Sequence, residues 1–62
     1  MKRIQCETEN QSIVQEYMFA CFGEQAELEI HLHDENSLKL SDAFGNSDIF
    51  YCDNDGIVRV DF

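Results

Sequence analysis

Between residues 26 and 33 the chain alternates strictly: Ala26, Leu28, Ile30 and Leu32 are apolar, and Glu27, Glu29, His31 and His33 are polar. Alternation over such a span predicts a half-buried strand with one dry face and one wet face. Asp34-Glu35-Asn36 interrupts the pattern with turn residues. Ser37-Leu38-Lys39-Leu40-Ser41 resumes it, so the two segments are expected to pair as a hairpin.

Residues 42–47, Asp-Ala-Phe-Gly-Asn-Ser, carry turn chemistry and predict a loop. Beyond them, residues 48–62 read as a second hairpin around Asp53-Asn54-Asp55-Gly56. Two registers satisfy it. A two-residue Asp55-Gly56 turn sets Ile49 and Tyr51 beside Val58, Val60 and Phe62. A three-residue Asn54-Asp55-Gly56 loop with a bulge instead groups Phe50 and Cys52 with Val58 and Val60. The second is the favoured one.

At the other end, residues 2–7 alternate at Ile4 and Cys6 and predict a first strand. Residues 8–23 predict a helix. Thr8 and Gln11 have the spacing of a capping box, and Ser12 and Gln15 offer a second. Val14, Tyr17, Met18, Cys21 and Phe22 fall on one face at helical spacing. Gly23 suits a C-terminal stop. Phe19 lies off that stripe; either the helix is buried broadly or Phe19 faces a partner. There is no proline, repeat or linker, so residues 1–62 are expected to form one domain. The expected architecture is β-α-β-β-β-β: an α+β fold, a single helix on one face of a small antiparallel sheet of four to five strands, the other face wet and acidic.

Charge sharpens this outline. Thirteen Asp and Glu oppose four Lys and Arg, a formal net charge of −9 over 62 residues. Residues 4–62 hold only Lys39 and Arg59 as cations. Such a field repels nucleic acid and anionic membranes and draws the protein toward basic surfaces. Size matters too. A chain this short buries only about 60% of its unfolded surface, so its stability is marginal. Its apolar residues, 44% of the chain with five Phe and two Tyr, still suffice for a core.

Cys6, Cys21 and Cys52 are three and cannot all pair within one chain. No secretory leader is visible in Met-Lys-Arg-Ile-Gln-Cys-Glu-Thr, and the longest apolar run, residues 17–22, is too short to span a bilayer. These features predict reduced thiols in a cytoplasm, the host's if the chain is phage-encoded.

The candidate chemistry is thin. Asp53-Asn54-Asp55-Gly56 fails as a calcium loop, because with Gly56 sixth the first and twelfth positions fall on Tyr51 and Phe62. Glu29, His31 and His33 share a strand face and could bind zinc or nickel, but nothing in the sequence completes the ligand set. No cysteine has an evident activating base, and there is no glycine-rich phosphate loop. No enzyme activity, cofactor or metal is therefore expected.

The acids themselves remain. Glu27 and Glu29 would lie about 6.6 Å apart along a strand, comparable in order of magnitude to neighbouring phosphates. Asp34 and Glu35 would extend the row. The expectation is an inhibitor that binds a basic, nucleic-acid-handling protein or nuclease complex and blocks it by occlusion. Glu27, Glu29, His31, Asp34 and Glu35 would be its polar contacts, and Phe19 and Phe44 its apolar anchors. Phage anti-defence proteins such as anti-CRISPR proteins, and other DNA mimics, share this size and charge. The alternatives are an immunity protein or antitoxin for a basic nuclease, or a structural module that forms a homodimer through its edge strands.

Overall fold

The computed structural model describes residues 1–61. Helix α1 spans Glu9–Phe22. Thr8 starts it: the Thr8 hydroxyl accepts from the Gln11 N–H at 3.1 Å, and the Gln11 side chain accepts from the Thr8 N–H at 3.2 Å. This reciprocal capping box satisfies donors that a helix N-terminus otherwise leaves unpaired. Gly23 ends the helix, with φ 79° and its N–H donating to the Phe19 carbonyl at 2.9 Å.

The rest of the described chain is a meander of four strands, β1 Glu29–Asp34, β2 Ser37–Ser41, β3 Ser47–Cys52 and β4 Val58–Asp61. They form one antiparallel sheet in the order β1-β2-β3-β4, with α1 packed across one face over β2 and β3. This is the expected α+β class. Val14 and Met18 from the helix meet Ile30, Leu38, Leu40, Phe50 and Cys52 from the sheet in a single core.

The first strand expected at residues 2–7 is not part of the sheet. That segment instead runs beside α1, and its partly buried Met1, Ile4 and Cys6 pack on the core. Two buried glutamines explain the change. The Gln15 side chain accepts from the Ile4 N–H at 2.8 Å, and the Gln11 side chain accepts from the Glu7 N–H at 2.7 Å. Backbone groups that would have needed a neighbouring strand are met by helix side chains.

The same contacts rotate the helix relative to its sequence pattern. The buried positions are Gln11, Val14, Gln15 and Met18, whereas Tyr17, Cys21 and Phe22 of the expected apolar face are exposed. Tyr17 and Phe22 still lean on Phe50, with ring centroids 6.4 and 6.1 Å away.

Strand β1 is also shorter at its start than the alternation at 26–33 suggested. Glu29 pairs with Ser41, the last residue of β2, so residues 26–28 have no ladder partner. In the second hairpin Cys52 pairs with Val58 and Phe50 with Val60. Asp53 donates its N–H to the Ile57 carbonyl at 2.9 Å, and Gly56, at φ 77°, donates to the Asp53 carbonyl at 3.0 Å. This is the favoured three-residue loop. Phe62, which the other register would have used, lies outside the described residues.

The sheet face turned away from the helix is mixed in charge, with a small excess of acids rather than an unbroken acidic surface. Its cross-strand rows are Glu29–Ser41–Ser47, His31–Lys39–Ile49–Asp61 and Asp34–Ser37–Tyr51–Arg59. Glu29, Asp34 and Asp61 there share the face with Lys39 and Arg59, and Asp53 reaches Arg59 at 2.6 Å, so the acids keep a small excess. The other acids occupy the helix, its flanking segments and the turns, and Asp48, which pairs with Leu40, points to the helix side.

A candidate binding site: an acidic groove with an exposed phenylalanine

Where β1 begins and β2 ends, residues 24–28 and the N-terminal segment leave an open groove of about 690 Å³. Glu24, Glu27, Glu29 and Asp42 line it, with Lys2 as the one cationic side chain and the Met1 ammonium, which donates to the Glu24 and Ala26 carbonyls at 2.7 Å each, as a second positive group. Each acid arrives from a different local cause. Glu24 sits in the turn after Gly23, Glu27 on the unpaired approach to β1, Glu29 on its first residue, and Asp42 where β2 gives way to the next loop.

Asp42 organises that loop. One oxygen accepts from the N–H groups of Phe44 at 2.8 Å and Asn46 at 3.0 Å, and the other accepts from the Asn46 side chain at 3.0 Å. The Asn46 side chain first, then the two backbone donors, hold the Asp42 carboxyl below the usual carboxylate range. The loop so fixed presents Phe44 at 90% exposure, next to the groove-lining Asp42 and Ala43. A phenyl ring that exposed on a braced loop is available for a partner's pocket.

The other expected contact residues are placed elsewhere. Asp34 and Glu35 lie at the far end of β1, about 17 Å from Glu29 at the usual strand rise. There Asp34 accepts from the Ser37 hydroxyl at 2.7 Å and from the Asn36 N–H at 2.9 Å, bonds that hold its carboxyl low, the hydroxyl foremost. This turn is fastened to the start of α1: Thr8 donates to the Glu35 carbonyl and Gln11 to the Asp34 carbonyl, each at 2.6 Å. Phe19 is half-buried against the core, its ring covered by the Arg3 guanidinium at 4.1 Å. Arg3 is in turn held by both Glu16 oxygens, at 2.8 and 2.6 Å. His31 stands on the outer sheet face, 3.4 Å from Glu29 and opposite Lys39.

Ser37, His33 and Asp34 form a cluster that sequence reasoning missed. The Ser37 hydroxyl is 2.8 Å from His33 Nδ1 and donates its single proton to Asp34. His33 must therefore be the donor to Ser37, the reverse of what a base activating a serine requires. Ser37 is only 1% exposed. The trio closes the irregular register between Leu32 and Asp34 and locks the turn.

His33 is thereby committed to Ser37, apart from the Glu29–His31 pair. Among the described residues no three His, Cys, Asp or Glu side chains gather as a metal site. All three cysteines are free: Cys52 buried, Cys6 half-buried and Cys21 exposed on α1. No helix among the described residues is long and apolar enough to cross a membrane.

Of the seven expected contact residues, then, the structure brings Glu27 and Glu29 together and sets Phe44 beside them. It adds Glu24 and Asp42, which only the Glu29–Ser41 register could have revealed. Comparison with protein-family models, curated proteins and solved structures finds no match to this chain.

Proposed function

We propose that this chain is a binding protein with no chemistry of its own, an inhibitor that seats its acidic groove on a basic, nucleic-acid-handling partner. The observation that supports this is the convergence of Glu24, Glu27, Glu29 and Asp42 beside a fully presented Phe44. The net charge of −9 steers the encounter with a cationic surface. Phe44 then supplies apolar anchoring, and because its loop is already fixed, little ordering entropy opposes docking. Blockade follows from occupancy: a Lys- and Arg-lined site covered by this groove is closed to phosphate.

The contact is thus a compact patch rather than a row along β1, since Asp34 and Glu35 are at the other end of that strand. Phage anti-defence proteins of the anti-CRISPR kind, and immunity proteins or antitoxins of basic nucleases, would act through the same chemistry, and their targets are the partners to screen first. Cross-linking of the tagged chain in cytosolic extract tests the reading. Captured proteins should be basic nucleic-acid binders, and added DNA or RNA should compete with capture. Capture that is insensitive both to nucleic acid and to the double reversal Glu27→Lys, Glu29→Lys at low salt would refute it.

A further inference from the structure

The two edges of the sheet differ. Along β1 the register shifts between Leu32 and Asp34, an irregularity that blunts an edge against further pairing. Strand β4 has a regular register with β3 and, among the described residues, no neighbour on its other side. Its free groups can be identified. The hairpin closes through the Asp53–Ile57 bond, so by the alternation of an antiparallel ladder the Tyr51–Arg59 and Ile49–Asp61 pairs exchange hydrogen bonds. Val58 and Val60 therefore turn their N–H and C=O groups outward.

We propose that β4 pairs antiparallel with β4 of a second copy of this chain, about a two-fold axis at Val60. Charge selects this register among those that bring outward groups together. Centred on Arg59, the pairing sets Arg59 against itself. Centred on Asp61, it sets Asp61 against itself. Centred on Val58, it runs into the Gly56 turn. Centred on Val60, it sets Arg59 of each copy opposite Asp61 of the other, and opposite charges directly across a strand pair attract whereas like charges destabilise it.

Val60 also meets Val60 of the second copy on the helix side, next to Phe50, its partner in the sheet and the residue on which half-exposed Tyr17 and Phe22 lean. Arg59 already holds Asp53 at 2.6 Å, which presets it on the outer face. The net charge of −9 opposes association, but the arrangement spreads it. The acidic hairpin turns lie beyond Ile57, more than about 10 Å from the axis on opposite sides. The acidic groove lies toward β1, three strands or about 14 Å away, and stays open. Dimerisation is thus independent of the function proposed above.

Sedimentation equilibrium of the full chain, from micromolar to millimolar at raised salt, tests it. The expected result is a reversible dimer of twice the 7.2 kDa chain mass. Arg59→Asp and Asp61→Arg should each weaken self-association about tenfold or more, since each turns two attractive pairs repulsive. An equimolar mixture of the two variants should recover a one-to-one heterodimer, in which both pairs are attractive again. Arg59→Asp also breaks the Asp53 pair, so chain synthesis with N-methyl valine at position 60 provides a second route. It removes one outward donor, leaves every side chain and the β3 ladder intact, and should abolish the dimer with circular dichroism unchanged. A chain monomeric at millimolar concentration, or a dimer indifferent to Asp61→Arg and to N-methylation, would overturn the proposal.

Discussion

The Gln15 side-chain amide grips the backbone of Ile4 at both of its polar groups, accepting from the N–H at 2.8 Å and donating toward the carbonyl at 3.4 Å. It serves Ile4 as a neighbouring strand would. A segment with strand-like alternation is thereby laid over the core edge instead of extending the sheet. Gln15→Ala leaves a part-buried backbone donor without its partner, and such a loss costs about 1–3 kcal/mol. Urea denaturation should show that loss, and amide exchange at Ile4 should accelerate more than at the sheet positions.

The Thr8 hydroxyl serves two elements, accepting from Gln11 and donating to the Glu35 carbonyl. Thr8→Ala removes the helix cap and the tie to the β1–β2 turn together. A loss of about 0.5–2 kcal/mol is expected from the cap. Thr8→Ser, which keeps the oxygen, should recover most of it in the same denaturation assay.

Leu38 is fully buried at the centre of the core. Leu38→Ala should cost about 2–5 kcal/mol. A chain of this length is expected to have only roughly 3–9 kcal/mol in total, from about 0.05–0.15 kcal/mol per residue. The variant should therefore lose a large share of its stability, read as a much lower urea midpoint, whereas Leu32→Ala, at a half-exposed edge position, should shift the midpoint little.

Asp42 carries a pH dependence whose sign is fixed by its bonds. Its folded pKa lies below the unfolded value near 3.9, so the folded state binds fewer protons through that window. The stabilisation is complete above the unfolded pKa and disappears as pH falls through the folded one. Asp42→Asn should thus be less stable than the parent at neutral pH, and the gap should close on acidification to about pH 2. Urea midpoints of both proteins across that range check the expectation.

Position separates the acids in function. Glu27→Lys with Glu29→Lys, at the groove, should slow association with a basic partner and flatten its salt dependence. Asp34→Lys with Glu35→Lys changes net charge equally but at the far end of β1, and should have the smaller effect. Stopped-flow association rates at several ionic strengths compare the two. Equal effects would mean that overall charge, not the groove, governs binding.

The strands from residue 29 onward, the helix with its Thr8 cap and Gly23 stop, and the loop at Asn54-Asp55-Gly56 were all legible in the sequence. Each is dictated by chemistry within a few residues: side-chain alternation, a reciprocal cap, a positive φ at glycine. Three things were not. The N-terminal segment alternates like a strand, yet Gln11 and Gln15 of the helix satisfy its backbone, and polar residues on a helix carry no mark that they will be buried. The wet face of the sheet looked wholly acidic from β1 alone, yet Lys39 and Arg59 on other strands offset part of it. Glu24, Glu27, Glu29 and Asp42 are up to 18 positions apart, and only the pairing of Glu29 with Ser41 draws them around one groove. Local geometry is a property of neighbouring residues; which surfaces share a charge depends on register and layering, and those are settled only when the whole chain packs.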